Sequence, residues 1–460
     1  MQDLNKRVKV EEQNINERLS NFDEVVHGFT KDEAILEAQR CINCKTKPCV
    51  KGCPISNDIP EFIGKIAEGN IQEAYETVKS HNNFPAICGR VCPQEDQCEG
   101  NCIRGKKGEP LAIGLLERFC ADYTLENMNT EKKITKNNIK VAVVGSGPAG
   151  LACARDLVEG GYSVTLYEAL DTMGGILIYG IPKFRLSRKI VDREIEYLQK
   201  QGVEFVKNKR LGVDITIEEL YQNGFNAIFI GTGASKPKML EIDGENLKGV
   251  YTAYEYLFKV NLHGKNHGLE VGKKAVVIGG GNVAMDAARV LKRLGAEDVT
   301  IIYRKTRTEM PARKSEIHHA EEENIKIMEL VNPVRFIGND GRLEKIELVK
   351  MEVSSTDESG RIKTKAVDGS NFFIDVDITI IAIGQEHDHT SITKNTQNIS
   401  THAGGGILVH NETMETSKEN IFAGGDVVSG GSTVIEAIKA GKKAAKAIDK
   451  KIRGGSTNGL

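Results

Sequence analysis

Two glycine-rich turns, each following a β-branched strand and opening a helical pattern, constrain this chain more than any other feature. Gly145-Ser146-Gly147-Pro148-Ala149-Gly150 follows the strand 140–144 and leads into a helix over 151–159. Gly279-Gly280-Gly281-Asn282-Val283-Ala284 follows 275–278 and leads into a helix over 284–294. In such a unit the first glycine makes the turn and the second lets a pyrophosphate approach the backbone. The third, alanine in the second copy, lets helix and strand pack closely, and the phosphate charge meets the amide-rich helix N-terminus. The same unit begins twice, 134 residues apart. This predicts an α/β protein with two Rossmann-like dinucleotide-binding domains on parallel sheets. Further apolar strands at 227–230 and 378–383 end in Gly231-Thr232-Gly233 and Gly384-Gln385.

The two turns differ where the second strand of each unit ends. Strand 163–167 ends at Glu168, 21 positions after Gly147, where a carboxylate can accept both hydroxyls of an adenosine ribose. Strand 299–303 ends at Arg304, 23 positions after Gly281, with Lys305 and Arg307 behind it. A carboxylate there would repel a 2′-phosphate, whereas a guanidinium accepts it through two donors. The second site is therefore expected to take NADP(H), with a solvated basic loop as the plain alternative. Arg313, in the segment 308–313, is positioned to add a second phosphate contact. His318 and His319 have no evident partner and are expected on a helix surface.

A length of 460 residues predicts about three domains, and 40% apolar content supplies ordinary cores. The formal charge of −2, with both signs interspersed, excludes a field for nucleic acid or membrane surface. No apolar run approaches the roughly 18 residues of a membrane span, so the expected location is the cytoplasm. Residues 1–137 read as helices and loops. Thr30 to Glu33 forms a capping box, Asp58 is placed to cap a second helix, and a third covers 71–80. The polar stretch 126–138 reads as a linker, and the Gly/Ser/Asn-rich tail after Gly454 as frayed. The expected domains are a helical one over 1–137, a first dinucleotide domain in segments 138–261 and 386–460, and the second inserted at 262–385.

Nine of the ten cysteines lie between Cys41 and Cys120. Cys41-x2-Cys44-x4-Cys49-x3-Cys53-Pro and Cys88-x3-Cys92-Pro-x4-Cys98-x3-Cys102 place thiolates at gaps short enough to wrap metal centres. Two Cys-Pro pairs and a single C-x2-C fit iron–sulfur clusters better than structural zinc, whose commonest frame is two C-x2-C knuckles. Cys153, alone in its helix, reads as a small buried residue.

The far end supplies a third signal: residues 420–426 form a short strand ending in Gly424-Gly425-Asp426, followed by Ser432-Thr433 and a helix over 434–446. Here the chain resembles flavin-dependent pyridine-nucleotide oxidoreductases of the two-dinucleotide-fold type. That resemblance makes the first dinucleotide FAD, with Asp426 on its ribityl chain and the helix after Thr433 pointing at the ring system. Met173-Gly174-Gly175 and the run 180–186, which contains Arg185, match the same class's second flavin-lining segment. No redox cysteine pair stands beside the flavin, so electrons must leave by another route. With YRK, MPAR, GGGNVAMDAAR and the two cysteine groups in order, the chain resembles the small (β) subunit of NADPH-dependent glutamate synthase and its relatives. These include the large subunit of bifurcating NADH-dependent ferredoxin:NADP oxidoreductase, sulfide dehydrogenase, and the N-terminal half of dihydropyrimidine dehydrogenase.

The resemblance implies two interleaved [4Fe–4S] clusters. Cys41, Cys44, Cys49 and Cys102 would hold one. Cys53, Cys92 and Cys98 would hold the other, completed by Glu117, with Cys88 the competing ligand. It also implies an electron conduit between NADP(H), FAD and the clusters, with no acid–base triad, since hydride transfer relies on stacking and site electrostatics. The chain has no room for a glutaminase or an FMN barrel, so a redox partner in a hetero-oligomer is expected. That partner would be a glutamate synthase large subunit, or a small flavin/[2Fe–2S] subunit with ferredoxin. A stand-alone sulfide or polysulfide reductase and a non-enzymatic zinc scaffold or redox sensor are the rival readings.

Overall fold

A computed structural model describes residues 3–127, 134–357, 362–387 and 399–454. Part of the expected linker (128–133) and the Gly/Ser/Asn-rich tail from 455 lie outside the described residues. The N-terminal region is helical, as its patterning requires. Helix Lys31–Ala38 opens on the expected capping box, in which the Thr30 hydroxyl accepts from Glu33 N and the Glu33 carboxylate accepts from Thr30 N at 2.8 Å. Asp58 stands before helix Ile59–Ala67 but makes no cap hydrogen bond, a correction to the expectation. Its ψ of 72° is outside the extended geometry that aims a cap side chain at the first turn, and its carboxylate is held by Lys47 at 3.2 Å.

The first sheet has the order Ile421–Ala423, Ala227–Ile230, Lys140–Val144, Ser163–Tyr167, Glu204–Val206, all parallel. Past the exposed Lys140, its central strands are continuously apolar and buried, as a sheet covered on both faces demands. Helix Val434–Ile452 packs tightly on helix Pro148–Glu159. The contact is close enough that a Cβ at Gly441 would stand 2.1 Å from the Ala149 carbonyl oxygen. One strand of this sheet thus comes from the far end of the chain, and the second dinucleotide fold is an insertion in the first.

The second sheet runs Lys326–Glu329, Asp298–Tyr303, Lys274–Ile278, Ile378–Ile381, Val250–Thr252, again all parallel. Strand Val250–Thr252 belongs to this sheet, so the sheet begins before the expected boundary at 262. Three half-buried residues carry no periodicity by which to place them. An antiparallel layer not foreseen in the sequence is inserted in the chain between strands Lys326–Glu329 and Ile378–Ile381: Val331–Asn339, Arg342–Thr356, Ile362–Ala366 and Phe372–Asp375. Its first hairpin turns at Asp340 and Gly341, both at positive φ (48° and 75°), the geometry that Asp-Gly favours.

An N-terminal arm ties these parts together. Arg18, buried in helix Ile15–Ser20, reaches Glu322 at 3.0 Å. Glu24 takes Arg90 at 2.6 Å and Arg118 at 2.9 Å from the cysteine-bearing region, and Ser187 N at 3.0 Å from the run after 186. His319 is not on the surface as expected: it is buried, with Nε2 3.1 Å from a Glu12 oxygen, because the arm covers this helix face. His318 is exposed.

Arg185 and Arg289 meet Glu316 at the junction of the two sheets. Burial pushes the Glu316 carboxyl up, but the two guanidinium groups outweigh it and hold it at about 2, against an ordinary 4.5. A carboxylate depressed in the folded state adds stability that is complete above its unfolded pKa and is lost as pH falls through the folded value. Glu316→Gln is therefore expected to lower the thermal midpoint at neutral pH and to make its decline between roughly pH 4.5 and 2 shallower. Calorimetry across that window checks this; an unchanged acid slope would contradict it.

Candidate functional site

The first glycine turn is built as phosphate binding requires. Gly145 sits at φ +99°, and a Cβ there would lie 2.4 Å from the Gly231 carbonyl oxygen. A Cβ at Gly150 would lie 1.9 Å from the Gly145 carbonyl oxygen, while one at Gly147 would meet nothing within 4 Å. The two closed glycines shape the turn and the open one leaves the backbone approachable. Pro148 and Ala149 begin the helix. Glu168, buried at the end of its strand, accepts from Ser146 N at 3.0 Å, from the Ser146 hydroxyl at 2.5 Å and from Leu170 N at 3.0 Å. The Ser146 hydroxyl in turn accepts from Gly174 N at 2.9 Å, and Gly175 (φ +54°) abuts Gly147. Sequence reasoning passed over Ser146, whose small hydroxyl between two glycines is the only signal it offered.

The far end of the chain closes on this turn. Gly425, at φ +77°, lies against Ala149, so that a Cβ there would be 2.9 Å from the alanine's own. The Asp426 carboxyl is raised by burial, and it accepts from Ser432 N at 3.2 Å and the Ser432 hydroxyl at 2.9 Å. Thr433 caps helix Val434–Ile452 by accepting from Glu436 N at 3.3 Å. Gly233 (φ +76°), two residues beyond the Gly231 that backs Gly145, faces open space. Arg185 is not brought to this turn. Its buried guanidinium reaches Asp286 at 2.6 Å and Glu316 at 3.3 Å, drawn there by two acids of the second dinucleotide unit.

The second turn repeats the construction. A Cβ at Gly279 (φ +144°) would lie 2.3 Å from the Ala382 carbonyl oxygen, whereas at Gly281 the nearest atom is 3.9 Å away. Asn282 Oδ1 accepts from Arg313 N at 3.0 Å, and Val283 is exposed beside it. Arg304 follows Tyr303 on its strand just as Glu168 follows Tyr167, so the two charged residues occupy equivalent places in the two folds. Arg304 is exposed, and among the described residues it makes no ion pair; Lys305 follows it. Arg307 is spent on Glu321. The Arg313 guanidinium is engaged by the cysteine-bearing region: it donates to the Arg90 carbonyl at 2.8 Å and lies 3.4 Å from Glu95. The cysteine-bearing region offers these acceptors, which the sequence could not reveal.

The cysteines separate into two groups. Cys53, Cys92, Cys98 and Glu117, with Cys88, line one small cavity of about 20 Å³. Burial and then the neighbouring thiols Cys44 and Cys102 raise the Cys41 thiol; burial and then Cys102, Cys41 and Cys44 push Cys49 up to about 11. These four form the outer group. None of the ten cysteines is in a disulfide, and metal binding would release the protons of those that become ligands. Glu117 accepts from Asn82 at 2.8 Å through Oε1, against a burial that pushes its carboxyl up to about 7. Its Oε2 receives no hydrogen bond from a described residue. The Cys88 thiol is engaged instead, 3.6 Å from Asn82 Oδ1.

These donors fit the cofactors the chemistry implies. Two groups of four donors each, all thiols but Glu117, suit polynuclear clusters held chiefly by thiolates. The open glycines at 147 and 281 and the carboxylate or guanidinium after each second strand fit two dinucleotides. Fold and site define a two-dinucleotide oxidoreductase with a cysteine-rich electron-transfer region in front.

Comparison with known proteins agrees. Residues 18–129 match the family model described as dihydropyrimidine dehydrogenase domain II, 4Fe-4S cluster, and residues 139–441 match pyridine nucleotide-disulphide oxidoreductase. The small chain of NADPH glutamate synthase from Azospirillum brasilense is 34% identical over 444 residues, 94% of this chain and 92% of that one. The β subunit of NADP(+)-dependent formate dehydrogenase from Moorella thermoacetica is 38% identical over 438 residues, 90% of this chain; the match spans 61% of that subunit's length. Among solved structures, Mycobacterium tuberculosis FprA in complex with NADPH shares the fold (TM-score 0.59, 19% identity, 69% of this chain and 85% of that one). The chain belongs to the glutamate synthase small-chain family. It is an oxidoreductase whose cofactors are FAD, NADP(H) and [4Fe–4S] clusters, and its relatives are named as chains of multi-chain enzymes. No described helix is long and apolar enough to cross a membrane.

Proposed function

We propose that this chain relays electrons between NADP(H) and a redox partner protein. Gly145–Gly150, Glu168, Gly175, Gly233, Gly425, Asp426 and Thr433 hold FAD, and Gly279, Gly281, Asn282, Val283, Arg304 and Lys305 hold NADP(H). Cys53, Cys92, Cys98 and Glu117 bind the inner cluster, and Cys41, Cys44, Cys49 and Cys102 the outer. When bound, the flavin supplies the conversion between hydride and single electrons. The residues' part is to bind and orient: Glu168 fixes the first turn, Thr433 aims the helix behind it, and Arg304 selects the phosphorylated nicotinamide cofactor.

One observation carries this reading. Ile435, in the first turn of the helix that Thr433 caps, lines the same cavity as Cys53, Cys92, Cys98 and Glu117. The inner cysteines and the flavin-side segment therefore share a wall, as an uninterrupted electron path requires. The partner is a protein with its own redox centre, of the kind served by a glutamate synthase small chain or a formate dehydrogenase β subunit. Iron, acid-labile sulfide, zinc and flavin analysis of anaerobically purified protein tests the assignment; zinc without flavin would contradict it.

Arg304→Glu replaces a charge-assisted contact, worth about 1.5–3 kcal/mol, by repulsion. Its kcat/KM for NADPH is expected to fall about 100-fold, at 1.4 kcal/mol per factor of ten, with that for NADH little changed. Steady-state viologen reduction with each nucleotide checks this; an equal loss for both would contradict it.

A further inference from the structure

Segment 312–315 ties the second glycine turn to the loop that carries two of the inner cysteines. On the turn side, Ala312 N donates to the Gly280 carbonyl at 3.2 Å and Arg313 N to Asn282 Oδ1 at 3.0 Å. On the other side, Arg313 Nη1 donates to the Arg90 carbonyl at 2.8 Å, and the Glu95 carboxylate accepts from Arg313 Nε and from Ser315 N, both at 3.4 Å. Glu95 stands three positions after Cys92 and three before Cys98. These hydrogen bonds join the nucleotide turn to the inner-cluster loop without passing through the flavin-side segments. Beside them lies a cavity of about 230 Å³ whose wall includes Gly89, Arg90, Glu95, Arg313 and Ser315, so the two regions meet here through polar contacts at the edge of a void. Against the roughly 2.7–2.9 Å of a charge-assisted bond, the two Glu95 contacts are long, which leaves them slack to tighten or open.

We propose that Arg313 and Glu95 are positioning residues that couple occupancy of the nicotinamide-nucleotide site to the redox state of the inner cluster. This rests on the reading above of both sites. Two effects act with the same sign. The phosphates of a nucleotide on the second turn bring negative charge toward the loop, and by drawing segment 312–315 to the turn they loosen the hold of the Arg313 cation on Glu95. Both disfavour an added electron on the inner cluster. The bound nucleotide therefore lowers that cluster's potential, and by linkage a reduced cluster weakens nucleotide binding by the same factor. In turnover, an electron reaching the inner cluster loosens NADP⁺ and times its release.

The probe is 2′-phospho-ADP-ribose, which carries the phosphates of NADP⁺ but no nicotinamide and so takes no electrons itself. Holoenzyme is titrated reductively with and without it, and cluster EPR is followed; the inner signal is the one that Glu117→Ala removes. In the wild type the probe should bind at least tenfold more weakly to the reduced than to the oxidised holoenzyme, and the inner potential should fall by the matching 59 mV or so per factor of ten. The outer signal should shift far less. In Glu95→Gln and in Arg313→Ala the inner shift should drop to a third or below, with iron and flavin content retained. If Glu95→Gln loses iron, Arg313→Ala decides. No inner shift in the wild type, or the full shift in an iron-replete variant, as the field of the phosphates alone would give, overturns the proposal. A wild-type holoenzyme without an inner signal, or without affinity for the probe, would sink the underlying reading instead, so the two failures are separable.

Discussion

Gly150→Val is expected to give a chain that retains no FAD. The hydrogen it replaces points at the Gly145 carbonyl oxygen, and even a first carbon would stand 1.9 Å from it. Neither side can yield. Gly145 is itself fixed at φ +99° with the Gly231 carbonyl behind it, and helix Pro148–Glu159 is held by helix Val434–Ile452 through Gly441. Overpacking of this kind costs about 1–3 kcal/mol or more where relaxation is blocked, and here the atoms that must move are those that present the turn to the pyrophosphate. Flavin absorbance per chain should drop to background, and NADPH oxidation with it. Gly150→Ala should show the same loss in lesser degree. Gly64→Ala, where an added carbon meets nothing within 4 Å, should leave flavin content unchanged. Circular dichroism shows whether the variants fold; a folded Gly150→Val chain with full flavin would refute the role given to this turn.

Glu117→Ala should remove the inner cluster while leaving the outer one, so that iron per chain falls from about eight to about four. The carboxylate is the one acidic group among the described residues that line the cavity, its Oε1 anchored by Asn82 at 2.8 Å and its Oε2 without a hydrogen bond from a described residue. Alanine leaves one corner of the site without a ligand and an apolar gap behind it. NADPH should still bleach the flavin, yet delivery to a protein acceptor at the outer cluster should fall by two orders of magnitude or more, as losses of metal-site ligation do. Cys88→Ala discriminates the two candidate ligands. The Cys88 thiol sits in helix Pro85–Val91, engaged with Asn82, so its removal should leave iron near the wild-type value. Full iron in Glu117→Ala together with loss in Cys88→Ala would reverse the assignment.

The glycine turns, their strands and the charged residues at 168 and 304 were readable because backbone chemistry dictates them locally: strands 140–144 and 163–167 stand where the pattern put them. The cysteine grouping was open to resemblance, not to spacing, since an interleaved pair of sites requires knowing that Cys53 turns toward Cys92 and Cys98. Arg185 and Arg313 were misread for one shared reason. A long cationic side chain goes to whichever acid the tertiary structure offers, and Asp286, Glu316 and Glu95 come from other parts of the chain. His319 was misplaced because the arm that buries it, through Glu12, is 307 positions away. The antiparallel layer escaped notice although Asp340-Gly341 marks its first turn; its strands are largely exposed and lack a clean alternation.

The most direct test of the relay is to mix the oxygen-protected holoenzyme with NADPH and follow flavin absorbance and cluster EPR by rapid freezing. The flavin should bleach first and reduced-cluster signals should follow in the same molecules, without any partner present. A protein that arrives colourless, or whose flavin bleaches while every cluster stays oxidised however long it is held with NADPH, would contradict the account.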